Sequence, residues 1–470
     1  MNIVHWFRAD LRLADNTALA YAAQRADRIA FLFVLDDGLL ASARMGQPRL
    51  RFLRGCLESL AADLEARGHR LCLRRGDPRE QVVAFAREVA ADCVTWNRDT
   101  SPYARRRDSE VAAGLAKHGI EPRAFKDRVV FEGAELRTGA GRSYQVFTPF
   151  RNAWLARLRE GPPAESRPLR LPTALPAKEI ARLLESMPAF AEGAPLPPAG
   201  ESAARRRLAR FCERAIGDYS EARDIPSIDG TSRLSSHLRF GTISARACVA
   251  AARDAAREAP RLAAGARKWL DELIWREFYA AVLEDHPHVL ERSFRSEYDA
   301  VRWNEDERGF EAWRAGRTGY PIVDAGMRQL AATGWMHNRA RMIAASFLVK
   351  DLLIDWRRGE RWFLERLVDG DPASNNGGWQ WCASTGTDAQ PYFRIFSPIS
   401  QGERVDPKGA YVRRWIPELR DLPERFVHRP WEAPAFAPEY PAKVVDHAQR
   451  RILALARFEA ARAAGKESAR

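Results

Sequence analysis

The sequence predicts an α/β domain built on a parallel sheet, followed by a separate all-helical domain. Three observations predict it: apolar, β-branched runs alternating with helical periodicity over the first 130 residues, a proline-dense stretch after residue 160, and loss of the strand signal from residue 201 onward. In the first region NIVHWF, FLFVLDD, RLCLRRG and DCVTWNRD are separated by segments such as RLRFLRGCLESLAADLEARG, the βαβ pattern of a parallel sheet. No GxGxxG follows the first run, so the phosphate-cradling dinucleotide turn is absent. Residues 161–200 hold nine of the 28 prolines, in GPPAESRPLRLPTALP and APLPPAGE around one short helical patch. The expected boundaries are therefore 1–130 for the α/β domain, 131–200 for a connector and 201–470 for the helical domain. ARKWLDELIWREFYAAVLEDH and NRARMIAASFLVKDLLIDW are its long amphipathic stretches, and VVDHAQRRILALARFEAARAAG its last helix.

A chain of 470 residues exceeds the usual size of one core, and 46% hydrophobic residues exclude a disordered protein. The net charge of +13, from 75 Lys plus Arg against 62 Asp plus Glu, fits a polyanionic partner and equally an Arg-rich composition. Cys56, Cys72, Cys93, Cys212, Cys248 and Cys382 are scattered without a CxxC pair, as free thiols of a reducing cytoplasm are. No apolar run reaches 18 residues, so a cytoplasmic protein with no membrane span is expected.

The chemistry concentrates between Gly334 and Trp381, where GWMHNRARM and DGDPASNNGGWQW place amides, carboxylates and cations among indoles. Buried polar groups need partners, and a large flat ligand with polar edges would supply them. In ELIWREFY, Glu272, Trp275, Arg276 and Tyr279 fall at i, i+3, i+4 and i+7, one helix face that could be a ligand wall or a solvated ion pair. Asn338, Arg341 and Met342 likewise share a face, with Arg339 pointing elsewhere. Asp369 and Asp371 have no third hard ligand near them, so Asp369 reads as the partner of a buried arginine. DGTSRLSSHLRFG is either a phosphate-holding loop or an N-cap feeding a helix. By composition alone Trp303, Trp356 and Trp379 read as core.

Together FRADLRLADN, DGTSRLSSHLRFG, ELIWREFY, GWMHNRARM and DGDPASNNGGWQW resemble the photolyase and cryptochrome family, in its order and over nearly the whole chain. The resemblance implies an FAD pocket of Tyr219, Thr231, Ser232, Arg233, Leu234, Ser235, Trp269, Arg276, Trp335, Arg341, Asp369 and Asp371. Asn375 would face the flavin N5, where similar plant cryptochromes place an acid and animal ones a cysteine. It further implies light-driven splitting of a cyclobutane pyrimidine dimer, as in a class I enzyme, by an electron from reduced FAD. Glu272 would stabilise the charged dimer, Trp275 would stack on it, and Asn338 and Met342 would line its cavity, where (6-4) photolyases carry a histidine pair. Arg223, Arg339 and Gln401 would grip the DNA backbone, and Trp379, Trp356 and Trp303 would carry electrons inward from the surface. Folate-binding members have an Asn-Glu pair where this chain has Tyr103-Ala104, which favours a deazaflavin or other flavin antenna, or none, over methenyltetrahydrofolate. DNA is the expected partner of a monomer needing no other protein. The rival readings are a signalling cryptochrome, a (6-4) photolyase and a colourless, light-independent nucleic-acid-binding protein.

Overall fold

A computed structural model describes residues 1–470 except 43–44, 162–169, 177–183, 185–186, 188–195, 390 and 469–470. Much of the proline-dense stretch, including its short helical patch, lies outside the described residues. Strands β1 (Asn2–Phe7), β2 (Arg28–Asp36), β3 (Leu71–Gly76), β4 (Cys93–Asn97) and β5 (Glu121–Phe125) alternate with helices α1 (Thr17–Arg25), α2 (Gln47–Glu65), α3 (Pro78–Glu88) and α4 (Pro102–Lys117). All pair in parallel, in the order β3-β2-β1-β4-β5. β1 and β4 read as nearly unbroken apolar runs because helices cover both faces of the sheet.

Two strands were not legible. β5, EPRAF, contains Pro122, which a strand tolerates at an edge, and the edge is where β5 lies. β6 (Thr173–Ala174) comes from the expected connector and pairs with Arg28 and Ile29 at the start of β2.

The strand order reverses between β1 and β4, the point where open α/β sheets leave a crevice. Here the loop after β1 fills it and docks the second domain. Leu11 N–H donates to Phe240 O (3.1 Å), and Arg12 and Arg246 both clasp Asp127 at 2.6 Å, all three buried. Removing one member of such a buried set leaves a bare charge, at a cost of about 3–5 kcal/mol. Gly241 permits the contact, since φ is +64° there and a Cβ would overlap Ala9 O.

The helical domain contains α5 (Phe147–Glu160), α6 (Glu201–Arg214), α7 (Ser235–Phe240), α8 (Ala245–Glu258), α9 (Pro260–Asp285), α10 (Pro321–Thr333), α11 (Asn338–Ser346), α12 (Trp356–Arg366), α13 (Pro372–Ala383) and α14 (His447–Ser468). α5 lies within the expected connector, 131–200, and packs into this core. Phe147, Phe150, Trp154 and Leu158 form its apolar stripe, and Trp154 Nε1 donates to Glu277 at 2.7 Å.

Residues 338–356, one amphipathic stretch in the sequence, fold as two helices. α11 ends at Ser346 and a π-helical turn, Phe347–Asp351, follows, closed by Leu352 N–H on Phe347 O (3.0 Å). The chain reverses at Leu353, φ +55°, and α12 starts at Trp356 under the Asp355 cap. Asn304 explains the break: it donates through its backbone to Leu353 O (2.7 Å) and through its side chain to Leu352 O (2.8 Å), replacing helical bonds.

Candidate functional site

α9 carries one wall of the site and α11 the other. On α9, Trp275 lies flat against Phe147 of α5, with centroids 3.7 Å apart and planes at 6°. The indole is thus fixed from behind, and Tyr279 flanks it at 5.4 Å. Glu272 and Arg276 do not pair with each other, as an i, i+4 couple could. Glu272 accepts from Arg223, whereas Arg276 turns to Arg128 O (3.0 Å) and lines a small pocket with Asp99, Arg128, Arg239 and Asp371. Burial and the neighbouring Arg128 both pull the Arg276 guanidinium below its ordinary pKa.

The arginines expected on DNA are already engaged. Arg223 holds Glu272, and Arg339 reaches Asp224 at 2.8 Å, so acid and base alternate along Glu272, Arg223, Asp224 and Arg339. Each guanidinium is part-buried and takes the nearest carboxylate. Gln401 lies on the short helix Pro398–Val405 and accepts from Arg404 at 2.8 Å.

α11 opens on His337, whose Nδ1 accepts from Arg339 N–H at 3.2 Å. The ring therefore points inward as a cap, and burial depresses its pKa to about 4. Asn338 and Met342 stand together on the accessible side, Nδ2 to Sδ 3.7 Å. Arg341 faces another way. It donates to both oxygens of Asp369 (2.8 and 3.1 Å), the pairing expected for that acid, and to Met336 O.

Asp371 has both oxygens occupied. Oδ1 caps α13 by accepting from Ala373 and Ser374 N–H, and Oδ2 accepts from Arg128 at 2.6 Å. Its role is to orient α13, on which Asn375 sits. The Asn375 amide donates to Glu360 O (3.0 Å), which directs its carbonyl oxygen away as an acceptor.

Trp269 and Tyr219 lean on Phe211 at 4.9 and 5.7 Å. Thr231 O and Ser232 O are held by Arg207, Leu234 N–H turns back to Ser232 Oγ (3.5 Å), and Ser235 at the start of α7 is exposed. Leu234 beneath it is buried. Arg233, φ +50°, covers the Trp335 ring at 4.7 Å. Such local strain is characteristic of turns that hold a ligand. These residues fit FAD: a donor-rich helix start suits its diphosphate, aromatic faces suit its rings, and an oriented amide acceptor suits a ring N–H. Among the described residues no cluster of His, Cys, Asp or Glu could hold a metal ion.

Trp379 and Trp356 are buried and Trp303 is half-buried, all in one apolar core. No ring stacks on another of the three. Phe363 and Trp313 surround Trp379 at 4.9 and 6.0 Å. Gly359 lets α12 meet α13, since a Cβ there would overlap the Trp379 ring.

Comparison with known proteins joins these parts. DNA photolyase is matched by residues 3–169, and the FAD binding domain of DNA photolyase by residues 269–460. A deoxyribodipyrimidine photo-lyase of Escherichia coli K12 is 43% identical, over 97% of this chain and 98% of that one. The chain belongs to the DNA photolyase family. In this family member the FAD-binding domain contains both walls of the site and the three tryptophans. Two solved structures agree with the fold. A class III photolyase of Agrobacterium tumefaciens has a TM-score of 0.90 at 39% identity, covering 98% of this chain and 97% of that one. A photolyase of Sulfolobus tokodaii that holds two FAD molecules has a TM-score of 0.82 at 33% identity, covering 98% and 100%.

Reasoning from sequence missed Phe147, Arg128, Arg239 and Trp313. Their partners are 66 to 243 positions away, too far for any local pattern to reveal.

Proposed function

We propose that this photolyase binds a cyclobutane pyrimidine dimer, flipped out of DNA, between Trp275 and Glu272 on α9 and Asn338 and Met342 on α11, and splits it in blue light. The observation that carries the reading is the composition of that opening: a braced indole, a carboxylate, an amide and a thioether, with His337 turned inward so that α11 offers no imidazole. This supports the dimer over a (6-4) product.

Bound FAD in its reduced form supplies the light absorption and the electron. The chain's own residues do the rest. Trp275 gives a rigid stacking face whose order is already established by Phe147. A pyrimidine edge alternates carbonyl oxygens with an N–H; Asn338 can donate to the former, and the Glu272 carboxylate can accept from the latter. Met342 fills the irregular space beside the fused ring with a polarisable group. Arg341, held to Asp369, keeps a guanidinium beside the pocket, where positive charge favours an anionic flavin. Extrusion costs a few kcal/mol, least for a damaged base.

Arg223, Arg339 and Gln401 are the proposed backbone grip. Because Glu272 and Asp224 hold the two arginines, DNA phosphate must compete with carboxylates for them. Trp379, Trp356 and Trp303 are the proposed route for refilling an oxidised flavin. For the antenna, Tyr103 Oη already donates to Asp36 at 2.5 Å, so that position offers no amide to a folate, and a second flavin is the better-supported occupant. DNA is the proposed partner, and the chain is proposed to act as a monomer in the cytoplasm; no helix of the described residues is long and apolar enough to cross a membrane.

Glu272→Ala tests the site. It removes the acceptor that positions the N–H edge of the dimer against Trp275, so the yield of splitting per absorbed photon is expected to fall about tenfold. It also frees Arg223, so affinity for dimer DNA should be maintained and its salt dependence should steepen by about one unit. An unchanged yield would overturn the role given to Glu272.

A further inference from the structure

The C-terminal helix α14 reaches the outer end of the tryptophan series. We propose that Phe458 on α14, seated on Lys350, is a positioning residue for Trp303; this rests on the reading of Trp303 as the outermost electron carrier. Phe458 is fully buried and meets Trp303 edge to face, centroids 5.9 Å apart at 78°. Tyr298 packs on the same ring at 5.7 Å. Trp303 is only half-buried, so without this wall its indole would be free to change rotamer.

What fixes Phe458 is unusual. Lys350 Nζ lies 3.4 Å from the centre of its ring, inside the core, where no carboxylate pairs with it among the described residues. The amine instead donates to Ala383 O (3.3 Å) and Ser384 Oγ (3.1 Å) at the C-terminal end of α13, the helix that carries Trp379. Lys350 belongs to the π-helical turn, and the next residue, Asp351, bonds His447 at the start of α14 (2.5 Å). Neighbouring residues of one turn thus secure α14 at two points, and π-turns recur at functional positions. Asn304, next to Trp303, ties the same turn to the approach to Trp356. The inner and outer indoles are therefore referred to one frame, with Phe458 closing its outer side.

The step served is simple in its balance. Trp303 gives one electron to an oxidised Trp356, and a thiol in solution returns one electron to Trp303, releases its proton and becomes a thiyl radical, two of which join as one disulfide. Position governs the first transfer, because a small misplacement of reacting groups costs orders of magnitude.

The experiment compares FAD-loaded Phe458→Leu, Trp303→Phe and, as a control of similar burial in the α/β domain, Phe85→Leu. Photoreduction with thiol is followed by absorption, backbone hydrogen exchange over 298–304 by mass spectrometry, and repair after chemical reduction. Phe458→Leu should slow photoreduction about tenfold and speed exchange over 298–304, with repair intact, whereas Phe85→Leu should do neither. Parental photoreduction in Phe458→Leu beside a slow Trp303→Phe would overturn this proposal alone. Parental photoreduction in Trp303→Phe would overturn the carrier role beneath it.

Discussion

Trp379→Phe is expected to slow photoreduction of oxidised FAD by about two orders of magnitude and to leave dimer repair by the chemically reduced protein near parental. The physical grounds are separable. A phenyl ring is far harder to oxidise than an indole, so electron supply stops at this position whatever the packing. The packing itself should change little. Trp379 lies between Phe363 and Trp313, above Gly359, and its Nε1 makes no hydrogen bond, so phenylalanine leaves no polar group newly unpaired. The smaller ring opens a cavity costing about 1–2 kcal/mol. Trp313 is the neighbouring indole that could bypass the gap, yet its Nε1 is tied to Ala344 O (3.0 Å) and its ring is fully buried among Phe310 and Phe363. Continuous illumination with thiol, read at the flavin absorption band, measures the first effect. Equal loss of photoreduction and of repair would refute an electron-supply role and indicate damage to the fold.

The second large effect is acid instability. His5, His237 and His337 are buried, and burial lowers each from the ordinary histidine range to about 4. In the unfolded chain each takes a proton near pH 6.5. Their contribution is therefore complete above about pH 6.5 and is lost as pH falls toward 4, each by about 3 kcal/mol. Asp351 works in the opposite sense. Burial raises it to about 6, so the folded state binds its proton first and regains about 3 kcal/mol over the same interval. Three histidines against one carboxylate leave these buried groups destabilising the fold in acid. Unfolding between pH 6 and 4, followed by circular dichroism, is the expected result. His337→Asn keeps a good helix cap while removing one titrating ring, and should move the midpoint to lower pH. A midpoint unchanged by that substitution would contradict the assignment.

The sequence disclosed the β1 to β4 core because strands covered on both sides must be apolar throughout, a local property. It disclosed the facing sets on α9 and α11 because helical spacing is local too. Pairings across the fold were closed to it: Arg223 lies 49 residues from Glu272, and Arg128 lies 243 from Asp371. Leu353 sits in a left-handed turn inside LVKDLLIDW, where nothing in an apolar run announces that Asn304 will claim two carbonyls. α5 carries a legible apolar stripe, Phe147 to Leu158, but a stripe alone does not tell which core it packs into.

The opening between α9 and α11 is proposed to split a pyrimidine dimer with light. The direct measurement is to incubate the chemically reduced, FAD-loaded protein with an oligonucleotide containing one cyclobutane thymine dimer, in blue light and in darkness, and to quantify restored thymines. Restoration is expected in light and not in darkness, with both thymines left in place in the strand and no net oxidation of the protein. Bound, reduced FAD with no restoration under illumination would contradict it.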